Sequence, residues 1–286
     1  MTTYKVGGSA RFMAEPRDLA ELREILENLP SDIDVVVLGR GSNVVIADSG
    51  IDGLVIRLGS GFQKAGFTDD GTVDAGGGVA LPKLARLAAK HGRSGLGFYV
   101  GIPGSVGGAV RMNAGGHGSD TASVIDHAVV LDIASAEVQQ WEPDALALGY
   151  RRSGLGSEHI VVQATFVTRS GSSTELENEL REITRWRKEH QPGGTLNAGS
   201  VFKNPEGDHA GAIIERSGLK GERFGPVAVS NIHANFLVAA DVATANDIFR
   251  FVEHIRSIVL ERVGIDLEPE IRFLGSFQQE AHHENH

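Results

Sequence analysis

Hydrophobic positions in the first 58 residues follow two different spacings. Leucine and isoleucine recur every three or four positions over residues 18–29, which predicts a helix that begins just after Pro16. Two short apolar runs at 35–39 and 54–58 predict buried strands, the first ending in a turn at 39–43. This alternation of helix and strand is typical of an α+β or α/β arrangement.

The alternation continues along the chain and is broken once by a change in composition. A helix is predicted over 81–88, with Pro82 in its first turn, and the most regular helix over 244–263. Apolar runs predict further strands near 129–133, 138–141, 160–168 and 267–274. A turn signal, a charged helix and the sequence QPGG mark a boundary at 170–194, so we expect two domains.

Composition narrows the classes of function. The 286 residues suffice for a large core, and 41% hydrophobic with 22% charged residues is ordinary for a globular protein. The absence of cysteine excludes disulfides, thiolate metal sites and thiol catalysis. A formal net charge of −10 disfavours nonspecific binding to nucleic acid or membranes. No apolar run reaches transmembrane length, and the first residues lack the apolar core of a secretory signal. We therefore expect a cytoplasmic enzyme.

The segment 95–118, GLGFYVGIPGSVGGAVRMNAGGHG, holds nine of the 37 glycines and almost no charge. Glycine loses more backbone entropy on folding than any other residue, so such a cluster indicates a special backbone requirement. Successive amides in a glycine-rich loop form concavities that bind a diphosphate, which favours a nucleotide cofactor. A purely structural glycine turn is the alternative, and spacing alone leaves both open. A second turn of this kind, GRGSN at 39–43, favours the cofactor.

Several well-known motifs are absent. There is no G-x-G-x-x-G of a dinucleotide fold, no Walker loop, no G-x-S-x-G elbow and no H-E-x-x-H. His282, His283 and His286 cluster in a polar tail, where only a weak adventitious metal site is conceivable, so we predict no metal. The tail itself is expected to be disordered.

Three polar groups interrupt otherwise structural sequence. Arg151 lies in GYRRS, where a solvated turn is the common outcome and an inward guanidinium for a carboxylate or enolate is the alternative. Ser200, in NAGSVFKNP, is either a small turn residue or a proton donor directed into a cleft. Glu270, in LEPEIRFLG, either faces water or is a buried acid with a raised pKa.

Taken in order, these pieces resemble the UDP-N-acetylenolpyruvoylglucosamine reductases, also called UDP-N-acetylmuramate dehydrogenases, of peptidoglycan synthesis. The resemblance runs nearly from end to end, and GIPGSVGGA, GSVFKNP and LEPEIRFLG together are highly specific for the family. The matching segments are VGGSARF (6–12), VLGRGSNVVIAD (37–48), GIPGSVGGAVRMNAG (101–115), YRRS (150–153), NAGSVFKNP (197–205), AGAIIERSGLKG (210–221), VSNIHANFLV (229–238) and LEPEIRFLG (267–275).

The resemblance implies an α+β fold of the vanillyl-alcohol-oxidase type. Its FAD-binding domain would have two subdomains that hold the cofactor between them, followed by a C-terminal α+β domain that covers the flavin and receives the UDP-sugar. The domains expected here are 1–169 for FAD (subdomains about 1–58 and 59–169), a connecting helix at 170–194, a substrate domain at 195–275 and a disordered tail at 276–286.

The resemblance also implies the cofactor and the chemistry. NADPH would pass a hydride to non-covalent FAD, and reduced flavin would reduce the vinyl group of UDP-N-acetylglucosamine enolpyruvate. Arg151 and a protonated Glu270 would stabilise the developing aci-carboxylate, while Ser200 would protonate the carbon beside it. The residues expected to bind FAD are Gly39, Arg40, Gly41, Ser42, Asn43, Gly101, Ile102, Pro103, Gly104, Val106, Gly107, Gly108, Asn113, Ala114 and Gly115.

Tyr150, Lys203, Asn204, Lys220 and Arg272 would contact the substrate. The sequence departs from the family in three places. Where the family has serine–glutamate–lysine–histidine, residues 230–233 are SNIH, and a second arginine follows Arg151. The 48 residues between Arg151 and Ser200 leave little room for a tyrosine-bearing lid, which indicates the shorter subtype.

Two other classes of function are weighed against the reductase. An FAD oxidase of the same fold, acting on a sugar or hydroxy acid, often tethers its flavin to histidine, and His91 and His117 are the candidates for such a link. A nucleotide-binding module without catalysis is disfavoured by the joint presence of Arg151, Ser200 and Glu270. For the reductase we expect a monomer with no nucleic-acid or membrane partner.

Overall fold

A computed structural model describes residues 1–277, and the chain divides into two compact units. The first unit contains Met1–Arg11, Gly41–Asp52 and the residues from His190 onward; the second contains Phe12–Arg40 and Gly53–Glu189. These units do not follow the continuous boundaries expected from the sequence. The first 58 residues, expected as one subdomain, are divided between both units, and most of the expected connecting helix belongs to the second.

The elements of the described chain are short strands and helices in mixed order. The strands are β1 (Ala10–Ala14), β2 (Val35–Val37), β3 (Val44–Ile46), β4 (Ile51–Ile56), β5 (Ala65–Phe67), β6 (Thr72–Gly76), β7 (Arg93–Ser94), β8 (Gly115–Gly116), β9 (Ser119–Asp120), β10 (Ile125–Asp132), β11 (Val138–Trp141), β12 (His159–Val167), β13 (Arg169–Ser170), β14 (Arg223–Phe224), β15 (Val227–Val229), β16 (Leu237–Ala239) and β17 (Arg272–Leu274). The α-helices are α1 (Leu19–Glu27), α2 (Leu81–Lys90), α3 (Val106–Met112), α4 (Pro143–Leu146), α5 (Ser173–His190), α6 (Ala210–Arg216) and α7 (Ala245–Val263).

The second unit is built on an antiparallel five-stranded sheet in the order β11-β10-β12-β6-β5. Alternate residues of β12 enter different cores, as the two-residue period of a strand requires. Val161 joins a core shared with α2 and α3, whereas Ile160 and Val162 join a core shared with α1. The sheet therefore has an apolar cluster against each face.

Helix α3 lies inside the glycine-rich segment, where hydrophobic periodicity does not indicate a helix. Ser105 is its N-cap, and the Ser105 hydroxyl accepts a hydrogen bond from the Gly108 amide at 3.4 Å. A Cβ on Gly107 would lie 3.1 Å from the Val161 carbonyl oxygen, so glycine lets this helix approach β12 closely. Part of the glycine content thus serves packing.

In the first unit a parallel strand pair and a helix cap join Gly41–Asp52 to the C-terminal segment, and the Tyr4 hydroxyl ties Met1–Arg11 to the same segment by donating to the Leu237 carbonyl oxygen at 3.1 Å. β17 pairs with β3 in parallel register, Arg272 opposite Val44. The Asp48 carboxylate, just beyond β3, accepts the amides of Ala245 and Asn246 at 2.9 Å each and so caps α7. The core of this unit contains Tyr4, Val45, Val201, Phe202, Ile213, Ile248, Phe251, Val252, Ile255 and Ile271, among others.

The strongly periodic helices agree with the sequence, and the last strand does not. Helices α1, α2 and α7 lie where they were predicted. The strand predicted at 267–274 forms only at Arg272–Leu274, so Glu270 lies just before it. Of the predicted disordered tail, Phe277 is described and packs on Phe249 and Phe273, while residues 278–286, with their three histidines, lie outside the described part. Within residues 1–277 no helix has the length and apolar character that a membrane span needs.

Candidate active site

Two predicted site motifs of the first unit lie side by side. The GSVFKNP segment runs antiparallel to LEPEIRFLG, with a bridge between Phe202 and Pro269. The Lys203 amide donates to the Glu268 carbonyl oxygen at 2.9 Å, and the Glu270 amide donates to the Val201 carbonyl oxygen at 2.7 Å. The backbones that carry Ser200 and Glu270 are therefore hydrogen-bonded to each other.

Asn43, the last residue of the predicted cofactor turn, lies in the same unit and continues this ladder. The Asn43 side-chain amide donates to the Glu270 carbonyl oxygen at 3.1 Å, and the Arg272 amide donates to the Asn43 carbonyl oxygen at 2.9 Å. Asn43, expected near FAD, thus uses its side chain to hold the segment that carries Glu270, just before β17. The turn and the predicted acid cannot move independently.

The polar side chains of this unit differ in how far they are engaged. The Ser200 hydroxyl is half-buried and makes no hydrogen bond to any residue within 1–277. Lys203 Nζ lies 2.6 Å from Glu268 Oε1, and Lys220 Nζ lies 2.8 Å from Glu215 Oε1. The Asn204 side-chain oxygen accepts the Ala210 amide at 3.0 Å, at the start of α6. Ser200 is the uncommitted hydroxyl that a proton donor requires.

In the second unit the predicted Arg151 turn is held against the glycine-rich segment. Arg151 adopts a left-handed backbone with φ of 53°, and its Nη2 donates to the Gly115 carbonyl oxygen at 3.1 Å. The Arg151 guanidinium lies 5.2 Å from the centre of the Tyr150 ring, a cation–π contact. Arg152 is exposed, so Arg151 is the arginine of this pair directed at the glycine-rich segment.

Asn113 fixes this arrangement from inside the fold. It is 2% exposed and takes the left-handed conformation that ends α3. Its Nδ2 donates to Asp120 Oδ2 and to the Gly149 carbonyl oxygen, both at 3.0 Å, and its Oδ1 accepts the Ala122 amide at 2.8 Å. Both donor positions of the side chain are taken by protein partners, and the assignment of Asn113 to FAD stays a prediction.

The backbone amides of the GRGSN turn provide the donor set that a diphosphate requires. None of the amides of Gly39, Arg40, Gly41, Ser42 and Asn43 donates to another residue of the described chain. A Cβ on Gly41 would lie 2.5 Å from the Met1 carbonyl oxygen, and its φ is +64°, so only glycine fits there. Such a run of uncommitted amides fits an anionic dinucleotide.

The GIPGSVGG segment differs in this respect. The Val106 amide donates to the Val79 carbonyl oxygen and the Gly107 amide to the Gly77 carbonyl oxygen, at 2.9 and 2.8 Å. Likewise the Ile102 amide donates to the Tyr99 carbonyl oxygen at 3.1 Å. The assignment of this segment to FAD stays a prediction, and at these positions it would rest on van der Waals contact rather than on amide donors.

The sequence did not point to the two side chains beside Gly101, an imidazole and a guanidinium. A Cβ on Gly101 would lie 3.1 Å from His117 Nε2 and 3.3 Å from Arg187 Cδ. The His117 ring stands edge-to-face with the Trp186 ring, with centroids 5.2 Å apart. Burial lowers the pKa of Arg187, and burial together with the Arg187 charge lowers the pKa of His117. The sequence suggests His117 only as a candidate for a covalent flavin link, because nothing in the local pattern predicts that its ring packs against Trp186.

Comparison with known proteins shows the class of protein to which this chain belongs. Residues 10–140 match the family model described as "FAD binding domain". Since the GRGSN turn also offers free amides, the class is that of FAD-binding flavoproteins, with FAD as the cofactor. Residues 191–274 match the family model described as "UDP-N-acetylenolpyruvoylglucosamine reductase, C-terminal domain".

Whole-chain relatives define the family. The chain is 41% identical over 276 residues to UDP-N-acetylenolpyruvoylglucosamine reductase 2 of Symbiobacterium thermophilum, covering 96% of this chain and 89% of that one. It is 40% identical over 275 residues to the reductase of Azorhizobium caulinodans, with the same coverage of 96% and 89%. The crystal structure of UDP-N-acetylenolpyruvylglucosamine reductase (MurB) from Thermus caldophilus superimposes with a TM-score of 0.83 at 34% identity over 96% of both chains.

The chain therefore belongs to the UDP-N-acetylenolpyruvoylglucosamine reductase family. The predicted family, the α+β fold with an FAD-binding domain and the FAD cofactor are confirmed. The individual residue assignments are not tested by these comparisons and stay predictions.

Proposed function

We propose that this protein reduces UDP-N-acetylglucosamine enolpyruvate to UDP-N-acetylmuramate, a step of peptidoglycan precursor synthesis, with NADPH as hydride donor. The observation that carries the proposal is the ladder of the first unit. It joins the predicted cofactor turn at Asn43, the segment of Ser200 and the segment of Glu270 by four hydrogen bonds of 2.7 to 3.1 Å. In a family of reductases, these are the groups that such a reaction requires.

FAD, when bound, supplies the two-electron relay, taking a hydride from NADPH and delivering it to the terminal vinyl carbon of the substrate. The residues of the chain handle the charge and the proton. Electrons displaced from the vinyl group accumulate on the substrate carboxylate as an aci-carboxylate. The Arg151 guanidinium and a protonated Glu270 stabilise that charge as preorganised donors, each supplying roughly 3–4 kcal/mol.

Ser200 then transfers its hydroxyl proton to the carbon beside the carboxylate, which completes the saturated lactyl ether. Serine is a weak acid, so the carbanion must be strongly basic and the hydroxyl closely placed. The Ser200 hydroxyl, which has no hydrogen-bond partner within residues 1–277, is available for this transfer. Lys203, Lys220 and Arg272 provide cationic charge for the diphosphate and carboxylate of the substrate, and Tyr150 and Asn204 provide polar contacts.

The two half-reactions can be observed directly in an anaerobic absorbance experiment. The flavin spectrum of the purified protein should bleach with NADPH and recover when the enolpyruvyl substrate is added. Recovery only with oxygen would indicate the FAD oxidase instead, and acid denaturation should release free flavin if FAD is not covalently bound. We further propose that the enzyme is a cytoplasmic monomer, which light scattering and cell fractionation can test.

The role of Ser200 gives the first prediction. The Ser200→Ala variant should keep flavin reduction by NADPH within about twofold of wild type, since the serine takes no part in that step. Reoxidation by substrate should slow by roughly 100-fold or more, the scale of a lost proton donor. Ser257→Ala, at an exposed serine of α7 in the same unit, is the matched control and should change neither rate. Unchanged reoxidation in Ser200→Ala would refute the proton-donor role.

A further inference from the structure

We propose that Asn235 is a positioning residue for the reduction step, because its side-chain amide fixes the backbone of the segment that carries Ser200. This inference rests on the proposed function, which assigns proton transfer to Ser200. Asn235 lies in the NIHANF sequence and had no role in the sequence interpretation.

Asn235 holds the backbone of Phe202 at two points. Its Oδ1 accepts the Phe202 amide at 2.9 Å, and its Nδ2 donates to the Phe202 carbonyl oxygen at 2.8 Å. Its own carbonyl oxygen accepts the Val201 amide at 2.9 Å. The side-chain amide thus satisfies both polar groups of one buried residue, as a neighbouring strand would.

The segment needs this support because it belongs to no sheet. Its pairing with LEPEIRFLG consists of an isolated bridge at Phe202, and Ser200 itself lies outside it. Gly199, immediately before Ser200, has a φ of +78°, and a Cβ there would meet nothing within 4 Å. Ser200 therefore stands between Gly199, whose amide donates to Asn197 Oδ1 at 3.0 Å, and the residues held by Asn235. Asn197 is half-buried whereas Asn235 is 3% exposed, so the restraint shielded from water is the one that Asn235 provides.

The hydrogen bonds of Asn235 also restrain the backbone of Glu270, the predicted acid. The Glu270 amide donates to the Val201 carbonyl oxygen at 2.7 Å, and the Val201 amide donates to Asn235. Displacing Val201 would therefore shift Ser200 and Glu270 together. A misplacement of about 1 Å at a reacting group costs roughly 100-fold in rate.

Asn235 is itself immobilised and shielded from water. It is 3% exposed, and its amide donates to His233 Nδ1 at 3.1 Å. The His233 ring packs edge-to-face on Phe236, with centroids 4.9 Å apart. Water cannot compete for the two Phe202 bonds at this burial, so the amide holds a defined position.

Two substitutions separate the hydrogen bonds from the volume of the side chain. Asn235→Leu keeps a similar size and removes both bonds. Asn235→Asp keeps the shape, but its carboxylate cannot donate to the Phe202 carbonyl oxygen; its protonated form can. Burial raises the pKa of a carboxyl group, so the neutral form should become populated between about pH 8 and about pH 6.

The experiment is anaerobic stopped-flow absorbance on the FAD-loaded protein, with the two half-reactions measured separately. Asn235→Leu should slow reoxidation by the enolpyruvyl substrate about 100-fold and leave reduction by NADPH within about twofold of wild type. At pH 8 reoxidation of Asn235→Asp should be as slow as that of Asn235→Leu. At pH 6 reoxidation of Asn235→Asp should be at least tenfold faster than that of Asn235→Leu at the same pH.

The controls make each outcome decisive. Val259→Ala, which opens a cavity in the core of the same unit, reports what loss of stability alone does and should leave both rates near wild type. Wild-type reoxidation in a folded Asn235→Leu protein would overturn the proposal. If that variant does not fold, the absence of recovery in Asn235→Asp at low pH would overturn it instead. If Ser200→Ala is reoxidised by substrate as fast as wild type, Ser200 is not the proton donor and the inference about Asn235 fails with it. If reoxidation slows in Ser200→Ala but not in the Asn235 variants, the proposed function stands and only the positioning role of Asn235 is refuted.

Discussion

The asparagines show most clearly which structural roles can be predicted from the sequence around a residue and which cannot. The family resemblance places Asn43 and Asn113 near the cofactor, and this stays a prediction. Their side chains also hold the protein together: that of Asn43 donates to the carbonyl oxygen of Glu270, a residue 227 positions away in the sequence. A partner at that distance leaves no trace in local spacing. The resemblance names the motifs, but only the fold shows which atoms of those motifs are already engaged.

His233 predicts a pH dependence of stability. Burial lowers its pKa below the ordinary 6.5, and the Lys220 charge lowers it further, while Glu215 opposes this shift. Below about pH 6.5 His233 takes up a proton in the unfolded chain but stays neutral in the folded protein. The free energy of unfolding should therefore be independent of this group above that pH and fall as the pH drops below it, by at most about 1.4 kcal/mol per pH unit.

Urea denaturation between about pH 6.5 and about pH 5.5, above the range in which ordinary carboxylates titrate, measures this slope. His233→Asn keeps an acceptor for the Asn235 amide and does not titrate, so its slope should be smaller than that of wild type. His209→Asn, at an exposed histidine of the same unit, should retain the wild-type slope. Equal slopes in all three proteins would show that His233 does not govern the dependence.

At the scale of elements, length and periodicity decide what the sequence can predict. The long amphipathic helices α1, α2 and α7 were predicted because each repeats its apolar face over two or more turns. The three-residue strand β3 and the seven-residue helix α3 were not, since neither is long enough to establish a period. The last strand was predicted too long because Leu267 and Ile271 enter the core, while the first half of LEPEIRFLG pairs only through an isolated bridge at Pro269 and forms no strand.

The packing of α3 on the sheet leads to a prediction with a neighbouring control. In Gly107→Ala the new Cβ would stand 3.1 Å from the Val161 carbonyl oxygen and 3.3 Å from that of Gly77, so the helix must shift. We expect the free energy of unfolding to fall by about 1–2 kcal/mol. In Gly108→Ala the Cβ would meet Ser105 Oγ at an ordinary 3.5 Å, and higher helix propensity should leave stability unchanged or raise it by up to about 1 kcal/mol. The urea midpoints of the two FAD-bound variants and the wild type measure these changes. Equal midpoints for Gly107→Ala and Gly108→Ala would contradict the close approach of α3 to the sheet.

At the scale of the whole molecule, the matched C-terminal domain and the physical unit do not coincide. The family model covers residues 191–274, yet the unit around them also takes in Met1–Arg11 and Gly41–Asp52. Those segments supply fully buried Tyr4 and Val45, the strand that pairs with β17, and the Asp48 carboxylate that caps α7. Composition could not have predicted this, because a discontinuous unit has no compositional boundary.

A fragment of residues 190–286 should accordingly lack a cooperative fold. It would expose the core positions that Tyr4 and Val45 cover and leave β17 without a partner. Circular dichroism during urea titration should show no sigmoidal transition for the fragment under conditions in which the full chain gives one. A sharp transition in the fragment would mean that the N-terminal segments are dispensable for the unit.

The chain passes between the two units four times, and this fixes an order of events on the ribosome. The second unit is fully synthesised at Glu189, whereas the first has to wait for residues that come after it. At about 5–20 residues per second, β3 emerges on the order of ten seconds before the strand it pairs with exists. During that interval its valines and isoleucine remain uncovered and are a natural target for chaperones. Asn43, just before β3, is thus among the first residues to be made, while Glu270 and Arg272, to which it is hydrogen-bonded, are among the last.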